Sequence, residues 1–148
     1  MIRRAEPEDA AALAALIVRA YTPWIAVIGR RPRPMDDDYA VRCAAGHAWL
    51  LEAADAALAG AVVLEDRAGH LWLDNLAVEP ARQGEGRGRE LLRFVEDEAR
   101  RRGHGEIRLS TAERMERNIA LYTRLGYVET ERVGDPGFVR VFMTKRLG

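Results

Sequence analysis

Residues 79–93 read EPARQGEGRGRELLR. Gly84, Gly86 and Gly88 alternate with charged residues and run into a leucine pair. Just before them, LDNLAV (73–78) has strand composition. From Gly88 onward, GRELLRFVEDEARRRG (88–103) is the clearest helix in the chain. Gly88, Leu91, Leu92, Val95 and Ala99 make one apolar stripe, charged residues cover the rest, and Gly103 stops it. Strand, loop and helix in that order predict a crossover to a parallel neighbouring strand. Glycine weakens a helix and loses more entropy on folding than other residues. Three of them at a helix start therefore need a reason. A glycine loop lets successive N–H groups point one way and form a nest for an anion. The helix N-terminus behind it adds unpaired donors and partial positive charge. The combination predicts a phosphate site, with Arg82, Arg87 and Arg89 adding charge.

Working outward, MIRRA (1–5) reads as a first strand and EPEDAAALAALIVRAY (6–21) as a helix. Pro7 suits its first turn, and Leu13, Leu16, Ile17 and Ala20 share one face. TPWIAVI (22–28) predicts a short second helix. GRRPRP (29–34) is broken by glycine and proline and predicts no regular structure. DDDYAVRCAAG (36–46) predicts a helix ending at Gly46. HAWLLEA, AGAVVLED and HLWLDNLAV then form an antiparallel meander. After the glycine-loop helix come a strand, EIRLS (106–110), and a helix, ERNIALYTRLG (116–126). Two closing strands, YVETERV and FVRVFMTKR, flank the turn GDPG. The sum is an α/β fold in one domain spanning residues 1–148. Its central sheet is mixed, mostly antiparallel, of six to seven strands flanked by helices, a size within the usual range of about 4–6 strands or slightly above it.

Composition narrows the function classes. Lys+Arg and Asp+Glu are equal at 23 each, which argues against nucleic acid as a partner. Cys43 is the only cysteine, and His47, His70 and His104 are scattered, so no metal site is expected. The chain start lacks an apolar signal region, and no apolar run suits a membrane helix. The expectation is a cytoplasmic protein with no membrane partner.

Spacing decides what kind of anion the loop serves. A nucleotide P-loop needs Gly-Lys-Ser/Thr, which is absent. The dinucleotide fingerprint is Gly-x-Gly-x-x-Gly at a first strand–helix turn, whereas this pattern lies mid-chain after a meander. On the loop alone, a tight turn with glycine used only for backbone shape stays open. Gln83-x-x-Gly86-x-Gly88, preceded by LAVEP and followed by ELL, resembles the acetyl-coenzyme A loop of the GCN5-related N-acetyltransferases. ERNIALYTRLGYVETE resembles that family's second signature, carried by Asn118, Ala120, Leu121, Tyr122, Gly126 and Tyr127. Both signatures occur in the family's order, and the resemblance covers nearly the whole chain. The segments GHGEIRLSTAERMERNIALYTRLGYVET and GFVRVFMTKRL are similar to a bacterial branch of unassigned substrate.

The resemblance implies an acyl-CoA N-acyltransferase fold. It implies acetyl transfer from acetyl-CoA to a primary amine of a small molecule or peptide, by direct attack on the thioester. In such folds a bulge splays the fourth strand from the next, and the pantetheine arm enters the gap. Leu76, Ala77 and Val78 would offer it backbone contacts, and Gln83, Gly84, Glu85, Gly86, Arg87, Gly88 and Arg89 would meet the pyrophosphate. Tyr122 would protonate the leaving sulfur, the other reading being a core tyrosine with its hydroxyl satisfied locally. Asn118, one turn earlier, either bonds the coenzyme arm or caps its helix. Many members carry a glutamate base on the fourth strand, where this chain has Trp72. Asp74, on the same strand face, could take the amine's proton directly or through water, unless it is a solvent-facing or turn-bonding aspartate. Glu79 and His70 are weaker options. Tyr21, Trp24, Met35, Tyr39 and Trp72 are candidates for an acceptor pocket, with Asp36, Asp37 and Asp38 to attract a cationic amine; each also has a plain packing or surface reading. A homodimer is a family-level expectation. An alternative is a catalytically weak module that only binds or senses acyl-CoA.

Overall fold

A computed structural model describes residues 1–148. The chain opens with β1 (Ile2–Arg4), then a single 3-10 turn at Pro7–Asp9 and α1 (Ala10–Tyr21). Asp9 fixes that entry: it accepts from the Glu6 N–H at 2.7 Å and takes a forked pair from Arg3 at 2.8 and 3.0 Å. The predicted face of α1 is the buried one, with Leu13, Leu16, Ile17 and Ala20 inside. α2 (Trp24–Ile28) ends at Gly29, which adopts the left-handed conformation. GRRPRP is less irregular than expected, because Arg33–Asp36 close one 3-10 turn with proline in its first positions, where no N–H is needed. The acidic run does not enter the next helix. Asp38 is instead the cap of α3 (Tyr39–Ala44), accepting from the Val41 N–H at 3.2 Å.

β2 (Ala48–Glu52), β3 (Leu58–Arg67) and β4 (His70–Val78) form the predicted antiparallel meander. They are followed by α4 (Arg87–Arg101), β5 (Glu106–Ala112), α5 (Glu116–Arg124), β6 (Val128–Asp135) and β7 (Phe138–Arg146). All seven strands join one sheet in the order β1-β2-β3-β4-β5-β7-β6. Only β4 and β5 pair in parallel. The crossover rule therefore holds at α4 and at no other helix. β1 and β2 pair antiparallel despite three helices between them, and β7 inserts between β5 and β6. Hairpin pairing of β6 with β7, closed by a short turn, displaces the parallel neighbour that α5 alone would suggest.

The sheet separates two apolar cores. α1–α3 cover one face, with Leu13, Leu16, Ile17 and Tyr39 at the centre. α4 and α5 cover the other, with Leu91, Leu92, Val95 and Tyr122. Gly60 on β3 lets α4 come close: an added Cβ would meet Ala77 O at 2.9 Å and Leu91 Cδ1 at 3.0 Å. That approach brings the α4 N-terminus against the end of β4.

Candidate active site

The site is built where β4 parts from β5. Their ladder pairs Leu71, Trp72 and Leu73 with Ile107, Arg108 and Leu109 and stops there. On the other edge of β4, Leu64 pairs Leu73 and Val63 pairs Asn75, so Asp74 is an extra, bulged residue. A bulge bends a strand and increases its twist. Leu71 and Leu73 lie in the α4-side core, but Ala77 lies in the α1-side core. The bulge has thus swapped the inside parity of β4. Beyond it, the edge of Leu76–Val78 that faces β5 has no strand partner. Only the Tyr21 hydroxyl reaches in, donating to Leu76 O at 3.2 Å.

The glycine loop sits at the end of that free edge. Gly84 and Gly86 take φ of +88° and +80°, which L side chains rarely adopt. The six consecutive N–H groups from Gly84 to Arg89 donate to no protein acceptor; the first helical bond comes from Glu90 N–H to Gly86 O. Six free donors at a helix start form an anion seat. Arg87 Nε is buried without a hydrogen bond, its Nη1 lying 3.2 Å from Glu90. Arg89 lines the same groove. Arg82 does not, being turned to Asp55 at 3.2 Å. The groove, about 540 Å³, runs from the loop along Leu76–Val78 to Tyr122 on α5.

A second cavity of about 210 Å³ opens on the other side of Tyr122. Tyr21, Leu76, Met115, Asn118 and Tyr122 line both spaces. The Tyr122 ring is buried, and burial pushes its pKa up to about 12. No hydrogen bond to another residue offsets that burial. The reading of a locally satisfied core tyrosine does not describe this side chain: its hydroxyl is protonated at neutral pH and free to donate. Asn118 is not a helix cap either, since Met115 holds the N-cap position of α5. In the second cavity, Asp74 is 6% exposed and surrounded by donors. Arg33 Nη2 lies at 2.9 Å, Trp72 Nε1 at 3.3 Å, Arg42 Nη2 at 3.4 Å and Asn75 Nδ2 at 3.5 Å.

Two cavities thus meet at Tyr21 and Tyr122, and one of them ends at a helix start with free N–H donors. The model of the Acetyltransferase (GNAT) family matches residues 12–127. The chain belongs to that family. A protein from Azospirillum brasilense described as an IAA acetyltransferase is 32% identical over 90 residues. That match spans 60% of this chain and 59% of the relative's length. Among solved structures, PaiA N-acetyltransferase from Thermoplasma acidophilum, in complex with coenzyme A, superposes with a TM-score of 0.81 at 20% identity, over 99% of this chain and 98% of that one. YncA from Salmonella typhimurium, with its cofactor acetyl-CoA, gives 0.75 at 25% identity, over 100% of this chain and 94% of that one.

Within this GNAT framework the predicted residues fall into three groups. Leu76, Ala77, Val78, Gln83, Gly84, Gly86, Arg87, Gly88, Arg89, Asn118 and Tyr122 line the larger groove, with Trp24, which sequence had assigned to the acceptor side. Glu85 is not among the lining residues and pairs with Arg87 at 3.5 Å. Tyr21 lines both spaces, and Asp74 lines the smaller cavity alone. Met35, Tyr39 and Trp72 line neither space. Met35 and Tyr39 are core residues, the Tyr39 hydroxyl donating to Pro34 O at 2.6 Å, and Trp72 is covered by Arg67. Asp36, Asp37 and Asp38 are also outside: Asp36 pairs Arg31, Asp37 pairs Arg42, and Asp38 caps α3. Glu79 pairs Arg19, and His70 begins β4, at the end opposite the loop. Sequence reasoning passed over Met115, Arg117 and Arg124 in the groove. It also passed over Arg30, Arg33, Ser110 and Arg140 in the smaller cavity. The arginine-rich GRRPRP was the available signal for two of these. No helix is long and apolar enough to cross a membrane, and no group of His, Cys, Asp or Glu is placed to hold a metal ion.

Proposed function

We propose that the chain is an acetyl-CoA-dependent N-acetyltransferase acting on a primary amine by direct attack on the thioester. The observation that carries this reading is Tyr122: a protonated, unpartnered hydroxyl at the junction of two cavities. The amides of Gly84–Arg89 hold the pyrophosphate, with Arg87 and Arg89 beside them. Leu76–Val78 offer the unpaired edge of β4 to the pantetheine arm, as a strand edge takes an extended peptide. Asn118, on the Tyr122 side of α5, bonds the same arm. Known relatives solved with coenzyme A and acetyl-CoA support this choice of acetyl donor.

The amine enters from the smaller cavity in its neutral form. Its nitrogen bonds to the acetyl carbon, the carbon–sulfur bond breaks, and Tyr122 delivers its proton to the departing sulfur. The proton lost by the amine leaves through water, and Tyr122 is reprotonated from solvent. The two oxygens of Asp74, with about four lone-pair sites, already face four donors, so no base role is assigned to it. It positions Arg33 and Trp72 instead. The test is Tyr122→Phe, read by coenzyme A thiol release and by calorimetric coenzyme A binding. Loss of a general acid lowers kcat by about 10²-fold or more, while coenzyme affinity stays near wild type. An unchanged kcat removes Tyr122 from the chemistry.

A further inference from the structure

The smaller cavity is lined by four arginines, Arg30, Arg31, Arg33 and Arg140, against one carboxylate, Asp74. Two of the four are neutralised within the protein. Arg31 pairs with Asp36 at 2.6 Å, and Arg33 pairs with Asp74 at 2.9 Å. Arg30 and Arg140 pair with no carboxylate. Both are held by one ring: the Arg30 guanidinium lies 4.2 Å above the Phe138 centroid and that of Arg140 lies 5.7 Å from it. Arg140 is half-buried and has a single polar partner, donating to Ser110 Oγ at 3.0 Å. Its pKa is lowered, first by burial and then by repulsion from Arg33 and Arg30, with Asp74 partly opposing. A desolvated guanidinium beside like charges is costly unless an anion joins it.

The geometry points to an acceptor that carries an oxyanion as well as its amine. Resting on the acetyltransferase reading above, we assign the substrate class as small aminoalkyl acids, with the amine at Tyr122 and the oxyanion on Arg140 and Arg30. Three observations narrow the class. A cavity of about 210 Å³ takes a molecule of amino-acid size. The phosphates of the acetyl donor have their own seat across Tyr122, at Gly84–Arg89, so these arginines are a separate anion set. The acidic run that would attract a purely cationic amine is spent on ion pairs and a helix cap outside the cavity. The same arginines favour the neutral form of the incoming amine, since neighbouring positive charge disfavours an ammonium. That lessens the need for a dedicated base. Carboxylate and phosphate share the chemistry that a guanidinium fork recognises.

The experiment uses the full chain with acetyl-CoA and four matched acceptors: an α-amino acid, its carboxamide, its decarboxylated amine and an aminoalkyl phosphate. Thiol release gives kcat/KM for each, and calorimetry gives coenzyme A and acceptor binding. The expected result is a preference of at least about tenfold for an anionic acceptor over both neutral ones, the scale of a lost charged hydrogen bond. Whether carboxylate or phosphate leads names the source of the oxyanion. Arg140→Gln should shrink the anionic-to-neutral ratio about fivefold or more while the coenzyme A Kd moves less than about twofold. Arg30→Gln, at an exposed position, repeats the test if Arg140→Gln fails to fold. Equal or better turnover of neutral amines, an unchanged ratio in both variants, or no binding of either anionic acceptor overturns this assignment. Failure to bind coenzyme A overturns the acetyltransferase reading itself, so the two failures are distinguishable.

Discussion

Replacing Gly86 by alanine isolates what the glycine loop does. Gly86 sits at φ +80°, ψ +14°, and an added Cβ meets nothing within 4 Å. No clash therefore contributes, and the whole effect is the left-handed backbone, about 1–2 kcal/mol for an L residue. Where that energy appears depends on what holds the loop. Its six N–H groups have no protein partner, and in the free protein only the Glu90 N–H bond to the Gly86 carbonyl restrains the turn. The free loop relaxes, and coenzyme binding must restore the strained shape. The penalty then falls on affinity: a 5–30-fold weaker coenzyme A Kd, roughly what 1–2 kcal/mol gives, with little change in Tm. Gly88→Ala is the complementary variant. Gly88 is already helical, and its new methyl would touch Leu121 Cδ2 at an ordinary 3.5 Å. Alanine in place of glycine stabilises a helix by about 0.5–1 kcal/mol, so Tm should rise by roughly 1–4 °C. The methyl also stands on the coenzyme side of the groove, so affinity should fall as stability rises. Calorimetric titration with coenzyme A and thermal unfolding of both variants decide the matter. Unchanged Kd in both variants would refute the loop as the pyrophosphate seat.

Asp74→Asn leaves Arg33 without its nearest carboxylate and removes one of three around Arg42. Arg33 is 45% exposed and Arg42 keeps Asp37 and Glu65, so the loss should be about 1–3 kcal/mol rather than that of a fully buried pair. A Tm equal to wild type would contradict it. Gly60→Ala forces a methyl against Ala77 O and Leu91, which should destabilise by about 1–3 kcal/mol and loosen the α4 N-terminus; denaturant unfolding tests the first and coenzyme A affinity the second. Burial pushes Tyr122 up to about 12 and also raises Tyr21, Tyr39 and Tyr127. The folded state then holds protons that the unfolded state has lost, so this stabilisation is complete below about pH 10 and declines as pH rises toward 12. Unfolding free energy measured between about pH 8 and 11.5 should fall above 10, and a flat profile would refute the burial of these phenols.

The glycine-loop groove was legible because its determinants are local. Gly84, Gly86 and the start of α4 are contiguous, and backbone conformation there follows from residue type. Tyr122 and Asn118 lie one helical turn apart, so one short pattern placed them together. The smaller cavity was not legible. It joins Arg30 and Arg33 from the α2–α3 connection, Asp74 from a bulge, Ser110 from β5 and Arg140 from β7. Nothing in the order of residues shows that β7, rather than β6, lies beside β5.

By itself, then, the sequence determined the element order and a parallel crossover at α4, and it pointed to the glycine-loop helix start and to Tyr122. Periodicity, glycine conformation and helix-start chemistry act over a few residues and can be read in line. Tertiary structure alone decided the rest. It fixed the bulge that left Asp74 out of the β3 ladder, next to where β4 parts from β5. It buried Met35 and Tyr39 and turned the aspartates of the 36–38 run into ion pairs and a cap. It set Arg140 beside Arg30 on one phenylalanine. Charge and burial at that cavity depend on residues more than a hundred positions apart, and only strand order brings them within reach of each other.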